Sequence, residues 1–335
     1  SASIGVSLYP IDDSDLDTLV IRANQAMYQA KLAGKNSFHL YNASEDHKTI
    51  QKYIQLKDIE QALLNNEFCL YFQPKVNIST GMVFGAEALI RWIHPKKGLI
   101  PPAKFLPIID GTDLEIKIGN WVIDQALMQM NSWLQKNTQL EISINVSSQH
   151  LQSKNFIQQL EKTLEKYPRV SSQHLQLEIL ESSALGDLTT ISQLIKTCQK
   201  SLGLNIALDD FGTGYSSLTH LRSLSANVIK IDQSFVRDIL DDPNDYTIVD
   251  GIIGLTNAFG HKVIAEGVES TEHGLMLILM GCYHAQGYQI SKPMPANEVI
   301  PWLANYKINT EWTTFSHHQQ TTKENKRKLF QLIAE

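Results

Sequence analysis

The 335-residue sequence predicts an α/β fold, a (β/α)8 barrel with a short N-terminal α/β remnant. Three observations predict it. From Phe68 onward, strand-like and helix-like segments alternate, the order that builds a largely parallel sheet covered by helices. Eight strand candidates fall within roughly 240 residues, the size of such a barrel. Several of these strands carry apolar residues on one face and polar residues on the other, as a strand does when its outer face packs on helices. The same order also allows a doubly wound open sheet.

The elements follow in chain order. "SIGVSLYP" (Ser3–Pro10) reads as a strand, so the chain is expected to begin inside a longer protein, where a sensor or membrane anchor could precede it. Ser14 is placed as an N-cap, and Leu16, Leu19, Val20, Ala23, Ala26, Met27 and Ala30 recur at helical spacing up to a stop at Gly34. "SFHLY" (Ser37–Tyr41) reads as a short strand. One helix and two short strands cannot bury a core of their own, so residues 1–41 read as the end of a truncated domain. Residues 42–52, with the polar "NASEDHK", read as a linker or the start of a connecting helix that continues through Leu56, Ile59 and Leu63. The main domain is assigned to 53–306. Its strand candidates are Phe68–Lys75, Val83–Trp92, Glu141–Ser147, His174–Leu180, Asn205–Asp209, Asn227–Ile231, Lys262–Glu266 and Ala285–Ile290. Residues 307–335 read as a polar tail, flexible or a terminal helix.

Composition is that of an ordinary globular protein, 43% apolar and 19% charged. The net charge of −6 offers no overall basic field for a nucleic-acid polymer. Cys69, Cys198 and Cys282 form no CxxC pair, which fits a reducing, cytoplasmic setting and argues against a zinc ribbon. No run is long and apolar enough to span a bilayer as a helix.

Strand parity carries the functional signal. In "EISINVS", Ile142, Ile144 and Val146 oppose Ser143, Asn145 and Ser147. In "LQLEIL", Gln176 and Glu178 oppose Leu175, Leu177 and Ile179, and in "GAEALIRW", Glu87 aligns with Leu89 and Arg91. With the apolar faces outward, the polar ones enter the barrel, where active sites gather at the C-terminal mouth. Glu87, Asn145, Glu178, Asp209, Asp210 and Glu266 then converge, and five of the six are acids. Acids brought together repel one another unless cations compensate them. An all-oxygen set favours Mg²⁺ or Mn²⁺ over zinc. Acids on a solvated rim are the plain alternative. "DFG" at Asp210–Gly212 stands without the catalytic loop and strand lysine that it accompanies in kinases.

Eight stretches, "YFQPKV", "EALIRWIHP", "INVSS", "LEILES", "LDDFGTGYSSL", "VIKID", "VIAEGVES" and "QGYQISKPMP", occur in this order between Tyr53 and Trp302. Together they resemble EAL-domain cyclic di-GMP phosphodiesterases. The first 41 residues, with "ANQAMYQAKLAGKNSFHLY", resemble the C-terminal end of a GGDEF domain without its cyclase signature. The resemblance implies a TIM-like barrel with one antiparallel strand. It also implies hydrolysis of cyclic di-GMP to linear pGpG at a site holding two Mg²⁺ or Mn²⁺ ions, and a homodimer through this domain. Glu87, Asn145, Glu178 and Asp209 would hold one metal; Asp209, Asp210 and Glu266 would hold the second. Lys230 would orient the attacking water or stabilise developing charge. Gln73, Arg91 and Gln286 would contact substrate, and Glu269 would support catalysis. Glu181 would anchor the loop after Asp210. A non-catalytic cyclic di-GMP receptor is the alternative. The sequence departs from the family pattern at Leu180, where Thr is usual, and at Gly111, where Glu is usual.

Overall fold

The computed structural model describes residues 2–9, 15–32, 36–181, 188–213, 224 and 226–319. The chain divides into two compact units, one comprising residues 1–68 and 92–110, the other residues 69–91 and 111–335.

In the first unit, strands β1 (Ile4–Val6) and β2 (Phe38–Leu40) pair in parallel, joined through a helix over Leu16–Leu32. That helix is capped by Asp15, whose Oδ1 accepts from the Thr18 N–H at 2.8 Å. Ser14 and Gly34 lie outside the described residues. A long helix, Ala43–Leu64, runs unbroken through the expected linker. Leu16, Val20, Ile21, Phe38 and Leu40 are exposed, a large apolar surface for so small a sheet.

The second unit is built on an eight-stranded barrel. Its strands are β3 (Phe68–Asn77), β4 (Val83–His94), β6 (Glu141–Asn145), β7 (Leu175–Leu180), β8 (Asn205–Phe211), β9 (Val228–Ile231), β10 (Lys262–Ala265) and β11 (His284–Ala285). They pair in the order β3-β11-β10-β9-β8-β7-β6-β4, and the β3–β4 pairing closes the ring. From β4 through β11 the neighbours run parallel, whereas β3 is antiparallel to β11. The short β12 (Met294–Pro295) adds to β3; the short β5 (Gly98–Ile100) pairs with Trp92–His94 at the end of β4, all within the first unit.

Ile142, Ile144, Leu175, Leu177, Ile179, Ile206, Leu208, Ile229 and Ile231 are all buried. Each buried aliphatic side chain of this kind contributes about 1.5–3 kcal/mol. The helix Leu188–Leu202 buries Ile191, Ile195 and Cys198, one stripe at helical spacing. The alternate positions point inward, where Ala207, Val228 and Ile264 form a small apolar plug. The polar inward residues lie toward the strand ends.

The eighth expected strand, Ala285–Ile290, is shorter than its sequence suggests. Only His284 and Ala285 pair with β10. Beyond them the Val268 N–H donates to the Gln286 carbonyl at 3.1 Å, and the Gln289 N–H donates to the Val268 carbonyl at 3.0 Å. The two segments approach so closely that a Cβ on Gly287 would lie 2.2 Å from the Val268 backbone. This lacing turns the chain out of the barrel wall. In the expected tail, residues 310–319 are helical, and the Trp312 indole is buried with its Nε1–H donated to the Thr271 carbonyl at 2.8 Å.

His150 is buried beside Gly119, its Nε2 3.0 Å from Asn120 Oδ1 and its Nδ1 without a partner. Burial pushes its pKa down to about 4 from an ordinary 6.5. The unfolded chain therefore takes up this proton first. Stability conferred by neutral His150 is complete above pH 6.5 and is lost as pH falls from there to about 4. The full effect is on the order of 3 kcal/mol. Urea midpoints measured from pH 7 to 4 should fall less steeply in His150→Gln than in the parent; parallel slopes would refute the assignment.

Candidate active site

The barrel delivers its acids through register. Ala88 pairs with Ile144 and Asn145 with Glu178, so Glu87, Asn145 and Glu178 stand on neighbouring strands near one end. Asn145 Nδ2 donates to Glu87 Oε1 at 2.7 Å. On the next strand, Leu180 pairs with Asp209.

Asp209 and Asp210 occupy an irregularity in β8. Leu208 pairs with Ile229 and Phe211 with Ile231, so β8 takes three steps where β9 takes two. The extra residue is a bulge, and Asp210 adopts φ +53°. In a regular strand, adjacent side chains point to opposite faces. The bulge lifts that restriction and lets both carboxylates serve one site. A left-handed backbone is one that Asp tolerates better than most residues.

Lys230 enters from β9, fully buried, among four carboxylates. Its Nζ lies 2.6 Å from Glu266 Oε1, 2.7 Å from Glu178 Oε2, 2.9 Å from Asp209 Oδ1 and 3.6 Å from Glu87 Oε2. One ammonium does not balance them. Burial, followed by the neighbouring charges of Glu87 and Asp209, pushes Glu178 up to about 7 despite Lys230. Burial and Asp209 push Asp210 up to about 7. Glu266 is raised by burial and by Asp209, Glu87 and Glu178. Burial opposes ionisation of Glu87, but Lys230, Gln286 and Asn145 hold its carboxyl below the ordinary range.

These residues fit divalent cations. Oxygens of Glu87, Glu178 and Asp209 lie within 4.8 Å of one another, as do those of Asp209, Asp210 and Glu266. Asp209 belongs to both groups. Glu178 Oε1 is buried with no hydrogen-bond partner, a costly state for a carboxylate oxygen unless something binds it. The donor set is all oxygen, the preference of Mg²⁺ and Mn²⁺.

Beside the acids, Gln286 Nε2 donates to Glu87 Oε2 at 2.6 Å and to Gln73 Oε1 at 3.0 Å. Gln73 Nε2 donates to the Ser291 carbonyl at 3.1 Å, and Gln286 Oε1 is buried without a partner. Arg91 is half-buried, its guanidinium 5.6 Å from the centre of the Tyr71 ring. Glu269 is exposed and is not among the carboxylates around Lys230; its backbone N–H donates to His273 Nδ1 at 3.3 Å. Glu181 is buried, and its Oε2 accepts from the Gly212 N–H at 2.8 Å. It thus grips the residue two beyond Asp210; Gly214 to Ser217 lie outside the described residues. Of the departures noted above, Leu180 is partly exposed, and Gly111 has φ +75°, a backbone that would strain a glutamate.

Two residues escaped the sequence reading. Asp232 shares a hydrogen bond with Asp210 and accepts from the Ser234 N–H at 2.9 Å, capping the helix Gln233–Arg237. Lys75 is fully buried inside the barrel. Each stands two residues from a chosen one, Lys230 and Gln73, and parity alone could have found both.

The fold and site define an α/β-barrel domain with a cluster of carboxylates that could hold cations. Residues 56–293 match the EAL domain family model, and the chain belongs to that family. It is 37% identical over 305 residues to the bifunctional diguanylate cyclase/cyclic di-GMP phosphodiesterase MucR of Pseudomonas aeruginosa, covering 91% of this chain and 44% of that protein. It is 34% identical over 308 residues to the cyclic di-GMP phosphodiesterase PdeR of Escherichia coli, covering 91% of this chain and 46% of that one. The chain thus spans less than half the length of these two relatives. Among solved structures, the PaMucR phosphodiesterase in its c-di-GMP complex superposes with a TM-score of 0.70 at 36% identity, covering 73% of this chain and 99% of that one. The FimX EAL domain from Pseudomonas aeruginosa bound to c-di-GMP gives 0.65 at 28% identity, covering 72% and 96%.

Glu181→Ala should leave the Gly212 N–H without its acceptor, at a cost of about 1–3 kcal/mol. Amide exchange at Gly212 should accelerate by at least about tenfold while the barrel strands stay protected. Unchanged exchange in the folded variant would show that the contact does not hold the segment.

Proposed function

We propose that this chain is a metal-dependent phosphodiesterase that hydrolyses cyclic di-GMP to linear pGpG. The observation that carries this reading is the pair of carboxylate groups that share Asp209, one of which includes an unpartnered Glu178 oxygen. The names of the relatives and the c-di-GMP complexes of similar barrels support the substrate.

Glu87, Asn145, Glu178 and Asp209 would hold one Mg²⁺ or Mn²⁺, and Asp209, Asp210 and Glu266 the other. Two such ions activate water and screen phosphate charge during in-line displacement. Lys230, already bonded to ligands of both groups, would steady the attacking water and the developing charge. Arg91 would donate its planar fork to a phosphate. Gln286 and Gln73 would orient the substrate through the same amides that now tie them to Glu87. Asp232 would keep Asp210 in place, and Glu269 would act from the loop that follows Glu266. Glu181 would keep the bulge and its loop in register.

The N-terminal strands and helix fit the end of a GGDEF domain, and their exposed apolar residues fit a surface that the rest of such a domain would cover. A homodimer through the EAL domain and a cytoplasmic setting complete the reading.

Purified protein incubated with cyclic di-GMP and Mn²⁺ or Mg²⁺ should yield pGpG, resolved by reversed-phase chromatography. Excess EDTA should abolish turnover and added metal restore it; persistence in EDTA would remove the two-metal mechanism. Glu87→Gln should lower turnover by at least about a hundredfold while circular dichroism stays unchanged. Binding of cyclic di-GMP with no turnover in any metal would make the domain a receptor instead.

A further inference from the structure

Beneath the acid layer lies a second polar layer that the proposed mechanism does not use. Lys75 follows Gln73 by two residues on β3, Gln176 precedes Glu178 by two on β7, and Ser143 precedes Asn145 by two on β6. Two residues along a strand is one inward-facing layer, about 6.6 Å. Lys75, Ser143 and Gln176 are each 0% exposed.

Lys75 Nζ lies 3.2 Å from Gln176 Oε1 and 3.4 Å from Glu141 Oε1. Among the described residues, Glu141 is the one carboxylate within ion-pair range of Lys75, partly exposed and at the long end of that range. Lys262 is a second basic group nearby: burial disfavours its protonation, Glu141 favours it, and Lys75 adds a smaller repulsion. Gln176 turns its oxygen to Lys75, so its Nε2 has no acceptor; Ser143 Oγ has no partner either. A layer short of acceptors therefore lies under one rich in them, whose Glu178 Oε1 is unpartnered. A buried ammonium costs several kcal/mol unless charge of opposite sign offsets it. The remaining charge of that sign stands in the layer above. Burial opposes the charged forms of Glu87 and Glu178; Lys230 does most to favour them, and Lys75 adds a smaller contribution of the same sign.

We infer that Lys75 is the internal counter-charge of the acid layer: it supports the carboxylates when no divalent ion is bound and weakens divalent-ion binding by repulsion. The inference rests on the two-metal reading of the site. Its sign follows from charge. Protons and metal ions compete for the same oxygens, and removing a positive charge favours a divalent ion twice as strongly as a proton. Lys75 is thus a positioning residue that sets metal affinity without touching metal or substrate.

The test is Mn²⁺ titration by calorimetry at pH 8, paired with Tm measured with and without Mn²⁺, for the parent, Lys75→Met and Lys75→Gln. Both variants should bind Mn²⁺ about tenfold more tightly. Their Tm should fall without metal, and the rise in Tm on adding Mn²⁺ should be larger than in the parent. Lys75→Gln can still donate to Gln176 and decides the matter if Lys75→Met does not fold. Unchanged Mn²⁺ affinity, with Tm lowered equally in both states, would leave Lys75 a packing residue and overturn the inference alone. A parent protein that binds no Mn²⁺ would overturn the two-metal reading and this inference with it.

Discussion

Everything in the site depends on one imbalance of charge, a single buried ammonium on Lys230 facing four carboxylates at 2.6 to 3.6 Å. Asp210 adds a fifth acid beside Asp209. Burying so many like charges costs several kcal/mol per ion unless each is matched. Lys230 meets only part of that need, and burial together with mutual repulsion still raises the pKa of Glu178, Asp210 and Glu266. A site of this kind is poised to take up cations, and the two overlapping carboxylate groups are where the proposed ions would sit.

The barrel exists in a form that can bear this imbalance. Its cohesion comes from the outward faces, where Ile142, Ile144, Leu175, Leu177, Ile206 and Ile229 are fully buried. The inward face is therefore free to carry charge at one end over the small plug of Ala207, Val228 and Ile264. Closure of the ring brings β4 and β10, remote in sequence, to the same mouth, so that Glu87 and Glu266 share Lys230. The bulge in β8 completes the set. Without it, one of the two aspartates would face the helices. Glu181, through the Gly212 N–H, fastens the segment on the far side of that bulge.

Much of this was legible in the sequence because alternation is a local signal. The inward placement of Asn145, Glu178 and Lys230 follows from parity with apolar neighbours, and all eight expected strands enter the barrel. What alternation cannot report is where it breaks. Asp209 and Asp210 are expected at one site, yet a regular strand would separate them; only the register against β9 reveals the extra residue. The last strand was overextended for a related reason. Its apolar pattern continues past Ala285, but the close approach of Gly287 to Val268 is a contact between distant segments. Asp232 and Lys75 obey parity and were passed over because their partners come from other strands.

The central claim is that the acids around Lys230 are compensated by two divalent ions sharing Asp209. Anomalous diffraction from a crystal soaked in Mn²⁺ tests it most directly. The account predicts two anomalous peaks about 3.5–4 Å apart, one against Glu87, Asn145 and Glu178, the other against Asp210 and Glu266, with Asp209 between them. A single peak, or peaks elsewhere with the four carboxylates still gathered on Lys230 alone, would contradict it.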